Sequence, residues 1–301
     1  MKRNINNVTC RLGGPRPPRS RRTLGSVAWV PVDPRHSVRF LDWPESASLG
    51  LAVAVSTRHG GVSEGTHASL NLGLHVGDDP ERVIANRERA AHAFGVELGT
   101  VVFAEQVHGA DATVVGLLER GRGTLQMADA IASTDILVTT ALETTLAILV
   151  ADCVPLALLD PEARILAAIH AGWRGTAAQA SARALDAMCA LGARPERVVA
   201  FIGPGVHPAR YQVGVDVYDA LARAVAPQAL ATEVARPEAG GRWRIDLMAA
   251  NRQQLLLAGV TPEHIFDCGV TTADDDYFSD RAARPCGRFA LFARLTGTPA
   301  V

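Results

Sequence analysis

Between Thr144 and His170 the chain is almost without polar positions. TTLAILVADCVPLALLD and ARILAAIH are two near-continuous apolar runs joined at Asp160-Pro161, a pattern that predicts two strands in the interior of a sheet rather than a half-exposed hairpin. Shorter apolar runs predict strands at 53–56, 101–105, 112–118, 135–139 and 198–202, and near 265 and 290. Helical spacing follows Asp79, which is placed to cap a helix opened by Pro80 and stopped by Gly95. A second helix is predicted from Trp173 to Ala190, with Ala184, Leu185, Met188 and Leu191 on one face, a third from Val215, and a fourth from Asp246 to Ala258. Glycine and serine mark STRHGGVSEG and SLNLGLHVGDD as loops. Hairpin-like and crossover-like connections occur together, so the expected fold class is α+β, with mixed β-sheets flanked by helices. No internal repeat and no linker interrupts residues 38–301, which read as a single catalytic domain.

Composition narrows the picture. With 301 residues, 48% hydrophobic and 20% charged, the chain can bury a sizeable core. Aromatic residues make up only 5%, too few for the stacking platforms of single-stranded nucleic acid binding, so no nucleic-acid partner is expected. The formal net charge of -1 conceals an asymmetry: Lys2, Arg3, Arg11, Arg16, Arg19, Arg21 and Arg22 have no acid among them, leaving 23 basic against 31 acidic residues in the remainder. Residues 1–37, with GGPRPPRSRR near their start, read as a basic, disordered leader without the apolar run of a secretory signal. No stretch of about 18 apolar residues predicts a membrane span. The five cysteines are scattered at odd count, which argues against a disulfide framework and for a cytoplasmic protein.

The candidate chemistry gathers at the apolar centre. Cys153 lies in ADCVP, His170 in AIHAGWRG and His108 in AEQVHG, each at the end of an apolar run and beside small or turn-forming residues. A thiolate and two imidazoles with one open position make a catalytic zinc pattern. The same residues also suit nucleophilic chemistry, with Cys153 activated by a neighbouring histidine. Asp152 is placed either to orient a ligating histidine or to cap a turn. An anion would find Arg58 in STRHGG, with the amides of Gly60 and Gly61, or Arg174 in GWRG, unless these arginines serve the loops themselves. Asn71 in SLNLG either holds a substrate hydroxyl or closes a turn, and His207, between Pro204 and Pro208, reads as a surface residue.

STRHGGVS, SLNLGLHVGDD, QVHG, ADCVPLALLD, AIHAGWRGT, GRWRIDLMAANRQQL and CGRFALF, in this order across residues 53–293, resemble the successive blocks of the YfiH-type family, also called multicopper polyphenol oxidase or laccase-domain proteins. The resemblance implies a metal site, usually zinc, at His108, Cys153 and His170. It also implies purine nucleoside phosphorolysis of inosine, adenosine, guanosine or methylthioadenosine, with nucleoside and phosphate as substrates and adenosine deamination on the same site. Other activities attached to the family are copper-dependent phenol oxidation and an amidase role in peptidoglycan-precursor editing, and a non-enzymatic metal-binding module is a further alternative. A single His-Cys-His group suits attack by water on a purine or an amide better than oxidation by linked copper centres. The chain departs from the family pattern twice. GPGVHPARYQV stands where a GPAIGPCCYEV-like loop is common, putting Ala209 and Arg210 at the cysteine positions, and YFSDRAARPCGR replaces an FFSYRRDG-like segment.

Overall fold

A computed structural model describes residues 28–31, as backbone, and 38–297. Among them, two six-stranded sheets and one small sheet carry the architecture. The first sheet runs, in spatial order, through β1 (Ala28–Pro31), β2 (Arg39–Asp42), β3 (Leu51–Ser56), β15 (Phe289–Leu295), β7 (Thr145–Val150) and β4 (Val101–Phe103). The second runs through β14 (Ile265–Asp267), β10 (Val199–Ile202), β8 (Val154–Asp160), β9 (Ile165–Ala171), β6 (Ile136–Thr139) and β5 (Ala112–Val114). Both are mixed. The pairs β4–β7, β5–β6 and β10–β14 are parallel, while β3–β15, β7–β15 and β8–β9 are antiparallel. The small sheet orders β11 (Gln212–Val213), β13 (Arg242–Ile245) and β12 (Ala235–Glu238).

Side-chain alternation explains the apolar centre. On β7, Leu146, Ile148 and Val150 enter a core that they share with Ala157 and Leu159 of β8 and Leu166 and Ala168 of β9, so the two large sheets pack face to face. The alternate residues Ala147 and Leu149 point the other way, toward Ala90 and Ala91 of α1 (Pro80–Phe94). On the second sheet, Val154, Leu156, Leu158, Ile165, Ala167 and Ile169 face a helical layer. That layer includes α3 (Ala180–Cys189), with Ala184, Leu185 and Met188, and α6 (Leu247–Leu257), with Leu255. Four layers result, and the central strands are apolar on both faces because both faces are covered. Each large aliphatic side chain buried this way contributes about 1.5–3 kcal/mol. A polar residue on either face of β7 or β9 therefore has nowhere to point without cost. The α+β class with mixed sheets is as expected, and so is α1: the Asp79 carboxylate accepts from the Glu81 amide, and Gly95 closes the helix at φ 82°.

Three details differ from the sequence expectation. The run 144–160 is not one strand. It is β7 in one sheet and β8 in the other, with Ala151, Asp152 and Cys153 crossing between them and Asp152 in the left-handed region at φ 91°. Hydropathy does not register the crossing because the chain leaves one two-sided core for another. As expected, β8 and β9 lie in the sheet interior, buried along their whole length; they form an antiparallel hairpin that Asp160 closes by accepting from the amides of Glu162 and Ala163. The helix from Trp173 breaks into α2 (Trp173–Ala177) and α3, because Gln179 adopts φ 63°. The β12–β13 hairpin was not legible, since ARPE and RWRI are short and largely polar. Within the expected leader, Ala28–Pro31 forms backbone ladder bonds with β2, whose edge is otherwise open. The remainder of residues 1–37 lies outside the described residues.

Candidate metal centre

The three expected ligands meet where the two sheets adjoin. His108 follows β4 of the first sheet, Cys153 lies on the crossing from β7 to β8, and His170 stands near the end of β9 in the second sheet. One ligand atom from each lies within 4.8 Å of the others, and this is the one group of three or more such side chains with that spacing among the described residues. The imidazoles of His108 and His170 face each other edge-on, with centroids 4.8 Å apart. His170 is buried at 3% exposure, Cys153 is half-buried and His108 is exposed. The cluster thus has a closed inner side and a solvent-facing side.

Local sequence explains the convergence. Gln106 anchors the QVHG loop to β7 like an extra strand residue: its amide donates to the Leu149 carbonyl at 2.7 Å and accepts from the Leu149 N–H at 2.8 Å. The loop then turns under His108, which adopts φ 62°, a conformation that costs a non-glycine residue energy unless its surroundings enforce it. Asp135 does the enforcing. Fully buried at the start of β6, its carboxylate accepts from the amides of Val107 (3.2 Å), His108 (3.0 Å) and Gly109 (2.7 Å), and from His170 Nδ1 at 2.7 Å. One side chain therefore holds the loop carrying His108 and orients the His170 ring, directing Nε2 to the cluster. Glycines make the approach close enough. A Cβ on Gly172 would stand 2.8 Å from Cys153 Sγ and 3.1 Å from His108 Cδ2, and one on Gly175 would stand 2.8 Å from the Gly109 carbonyl oxygen.

The electrostatics favour an ion pair. Burial alone raises the Cys153 thiol, but the charge of His170 and the hydrogen-bonding reach of both imidazoles outweigh it and hold the thiol below its ordinary value. Burial lowers His170, yet the thiolate and the Asp135 carboxylate more than reverse this and raise it. Asp135 is lowered in turn: burial opposes the charge, but the bond from His170 and the loop amides prevail. A thiolate, an imidazolium and a carboxylate thus stand in series, and the imidazolium proton beside the thiolate is what a divalent cation displaces. Ligand bonds of about 2.0 Å from nitrogen and 2.3 Å from sulfur set donors roughly 3.5 Å apart. The donor atoms here lie within 4.8 Å of one another, somewhat wider than that. The donor set fits a three-ligand zinc with one open position, and the Asp135–His170 bond is the second contact that such a histidine usually makes.

The other expected site residues fare differently. Asp152 does not touch either histidine. Its carboxylate accepts from Thr272 Oγ1 (2.5 Å), Ser279 Oγ (2.7 Å) and the Arg281 amide (2.6 Å), which pins the segment 272–281 beside the crossing that carries Cys153. The orienting role falls to Asp135, 35 residues from His170 in sequence. Arg58 donates twice to the Ala68 carbonyl and lies over the Phe278 ring, 4.5 Å from its centroid, so its guanidinium serves the loop. Asn71 is saturated, accepting from the amides of Gly73 and Arg288 and donating to Asp78 and the Gly73 carbonyl. It closes a turn and ties that turn to the C-terminal segment. Arg174 is exposed, its guanidinium 4.4 Å from the Trp173 ring centroid. His207 is exposed as expected and caps the turn at Pro208–Arg210 by accepting from the Ala209 amide.

Two residues near the cluster escaped the sequence reading. Burial, the negative charge of Cys153 and that of Asp152 raise the Tyr211 hydroxyl, so this ring stands within electrostatic reach of the thiolate. His75 is lowered to about 4 by burial and by the positive charges of Arg288, Arg87, His170 and His108.

The family model described as multi-copper polyphenol oxidoreductase laccase matches residues 52–296. The chain belongs to that family. Within it, the purine nucleoside phosphorylase YlmD of Geobacillus stearothermophilus is 37% identical over 247 residues, 81% of this chain and 89% of that protein. A purine nucleoside phosphorylase of Corynebacterium glutamicum is 39% identical over 235 residues, 78% of this chain and 90% of its own length. The crystal structure of the G. stearothermophilus YlmD superposes with a TM-score of 0.82 at 35% identity, covering 86% of this chain and 96% of that one. That of the Bacillus licheniformis hypothetical protein YfiH does so with a TM-score of 0.82 at 30% identity, covering 87% and 97%. The laccase family is thus populated by relatives whose names specify nucleoside phosphorolysis.

Proposed function

We propose that the chain is a purine nucleoside phosphorylase acting in the cytoplasm, converting inosine, adenosine, guanosine or methylthioadenosine and phosphate to the free base and ribose 1-phosphate, with adenosine deamination at the same site. The observation that carries this reading is the His108–Cys153–His170 cluster, held by Asp135 and open to solvent at His108, in a chain whose relatives are named purine nucleoside phosphorylases. No helix among the described residues is long and apolar enough to cross a membrane.

His108, Cys153 and His170 would hold Zn(II), with copper as the other cation that a thiolate and two imidazoles accept. Bound there, zinc supplies Lewis acidity toward a substrate oxygen or water. Asp135 keeps the His170 proton on Nδ1, and Cys153 remains a thiolate. The buried inner wall of the cluster excludes bulk water from that side, whereas His108 borders the approach for substrate. In phosphorolysis a phosphate oxygen forms a bond to ribose C1′ as the C1′–N bond breaks. Its electron pair goes to the purine nitrogen, which takes a proton from solvent. In deamination water adds at C6, one of its protons passes to the amino group, and ammonia leaves. Pure protein incubated with inosine and phosphate is expected to yield hypoxanthine and ribose 1-phosphate in equal amounts, and their absence at every metal loading would refute the reading.

One observation favours a second reading, an amidase acting on a peptidoglycan precursor: the Cys153 thiol is held below its ordinary value by its two histidines, as a nucleophile requires. Cys153→Ser separates the routes. A trapped acyl-enzyme on the amide substrate would support the nucleophile, whereas a water route forms none.

A further inference from the structure

The phosphorylase reading leaves its second substrate without a seat, because Arg58 turns Nε and Nη2 to the Ala68 carbonyl of its own loop. Resting on that reading, we propose that phosphate is bound by Arg288 and Arg284 in the cleft between the 71–76 loop and the segment 280–288, with His75 in its lining, rather than by Arg58 or Arg174. The cleft has a volume of about 420 Å³, and its lining includes His75, Asp280, Arg284, Cys286 and Arg288. That is within the usual range for a small-ligand site.

Arg288 is built into place. Its Nη1 donates to the carbonyls of Cys286 (3.0 Å) and Gly287 (3.1 Å), and its backbone N–H donates to Asn71 Oδ1 at 2.8 Å. Its stem packs so closely on the opposite wall that a Cβ on Gly73 would stand 2.9 Å from Arg288 Cγ. The saturated Asn71 side chain therefore clamps the two walls of the cleft together, through its bonds to Gly73, Asp78 and Arg288. Arg288 Nη2 reaches Asp280 only at 3.5 Å, while Arg284 pairs with the same carboxylate closely. Two guanidiniums thus share one carboxylate, and the surplus positive charge lies in the cleft. The cleft adjoins the cluster through the backbone, because the Arg281 amide, next to Asp280, donates to Asp152, the chain neighbour of Cys153. Of the competing cations, two are committed to backbone carbonyls, and the third, Arg174, is exposed. Arg281 donates to the carbonyls of Arg210 and Gln212, Arg87 is buried against the carbonyls of Leu72, Gly123 and Thr124, and Arg174 lies over Trp173 in a five-residue helix.

The test is phosphorolysis of inosine by the metal-loaded enzyme, with inorganic phosphate varied. Losing a charged hydrogen-bonding partner in Arg288→Gln is expected to raise KM for phosphate by at least about tenfold, with KM for inosine changed less than about threefold. Arg284→Gln, at a side chain that is 77% exposed, raises it by a smaller factor. Asp280→Asn lowers it by removing the competing anion. An unchanged phosphate KM in both arginine variants, or the increase appearing in Arg174→Ala instead, overturns the proposal. Equilibrium binding of inorganic phosphate to the metal-loaded protein needs no turnover and separates the two levels of failure. Arg288-dependent phosphate binding without phosphorolysis refutes the phosphorylase reading and upholds the anion site, whereas phosphate binding indifferent to Arg288 and Arg284 refutes the site.

Discussion

Replacing Asp135 with asparagine changes one atom, yet it is expected to weaken metal binding and folding together. The carboxylate accepts four hydrogen bonds, with Oδ2 taking the amides of Val107 and Gly109 and Oδ1 taking the His108 amide and His170 Nδ1. In asparagine one of these oxygens becomes an NH₂ group, so either the Val107 and Gly109 amides or the His108 amide and the His170 ring lose their acceptor. Each donor left without a partner costs about 1–3 kcal/mol when buried. Val107 is 48% exposed, so water recovers part of that cost, and a net loss of about 2 kcal/mol is expected. For a domain of this size that lowers Tm by roughly 4–8 °C. Metal affinity is expected to fall about 10–100-fold, the usual consequence of removing a carboxylate behind a ligating histidine. Competition against a chromophoric chelator at fixed pH measures the affinity, and thermal unfolding of the metal-free protein measures the stability. A variant that binds metal within about twofold of the wild type would refute the role given to Asp135, and an unchanged metal-free Tm would refute the accounting of its bonds.

Further outcomes follow from individual contacts. Gly172→Ala puts a Cβ 2.8 Å from Cys153 Sγ. It is expected to lower metal affinity by at least about tenfold, because ligands must sit within roughly 0.5 Å of their productive geometry; chelator competition checks this, and unaltered affinity counts against the crowding. Asp152→Asn weakens the bonds from Thr272, Ser279 and the Arg281 amide. A loss of about 1–3 kcal/mol is expected, with faster limited proteolysis in the exposed 281–285 stretch, and equal cleavage rates would remove the pinning role. Asp78 is lowered because the bonds from Asn71, Ser63 and the Asp79 amide overcome the opposing effect of burial. Its contribution is therefore present above the unfolded value of about 3.9 and lost as pH falls through its lower folded value. Asp78→Asn should be less stable than the wild type at pH 7 and approach it as pH falls below the unfolded value of about 3.9, so a denaturant-midpoint difference that stays constant as pH is lowered contradicts the assignment.

The sequence was most legible where a local pattern decided the outcome. Asp79, Pro80 and Gly95 delimit α1 by capping chemistry that needs no tertiary context, and the three candidate metal ligands were picked out by their places at the ends of apolar runs together with the ordered family blocks. It was least legible where two distant segments had to find each other. The run 144–160 carries no mark of passing from one sheet to the next, since Val150 and Val154 are both buried and both apolar. Asp135 sits in STDILV, where a lone carboxylate before a strand looks like a turn residue. Only the packing of the QVHG loop over β6 and β9 gives it four donors. Asp152 drew attention because it adjoins Cys153, but it lies on the crossing at φ 91°, and its carboxylate turns to the C-terminal segment. The same geometry bears on what the cluster does to the fold. His108 comes from the first sheet, His170 from the second and Cys153 from the link between them, so a bound metal couples sheet-to-sheet packing to ligand geometry. Substitutions in the shared core, such as Ile148→Ala or Leu166→Ala, should therefore loosen the metal as well as the fold, without touching any ligand.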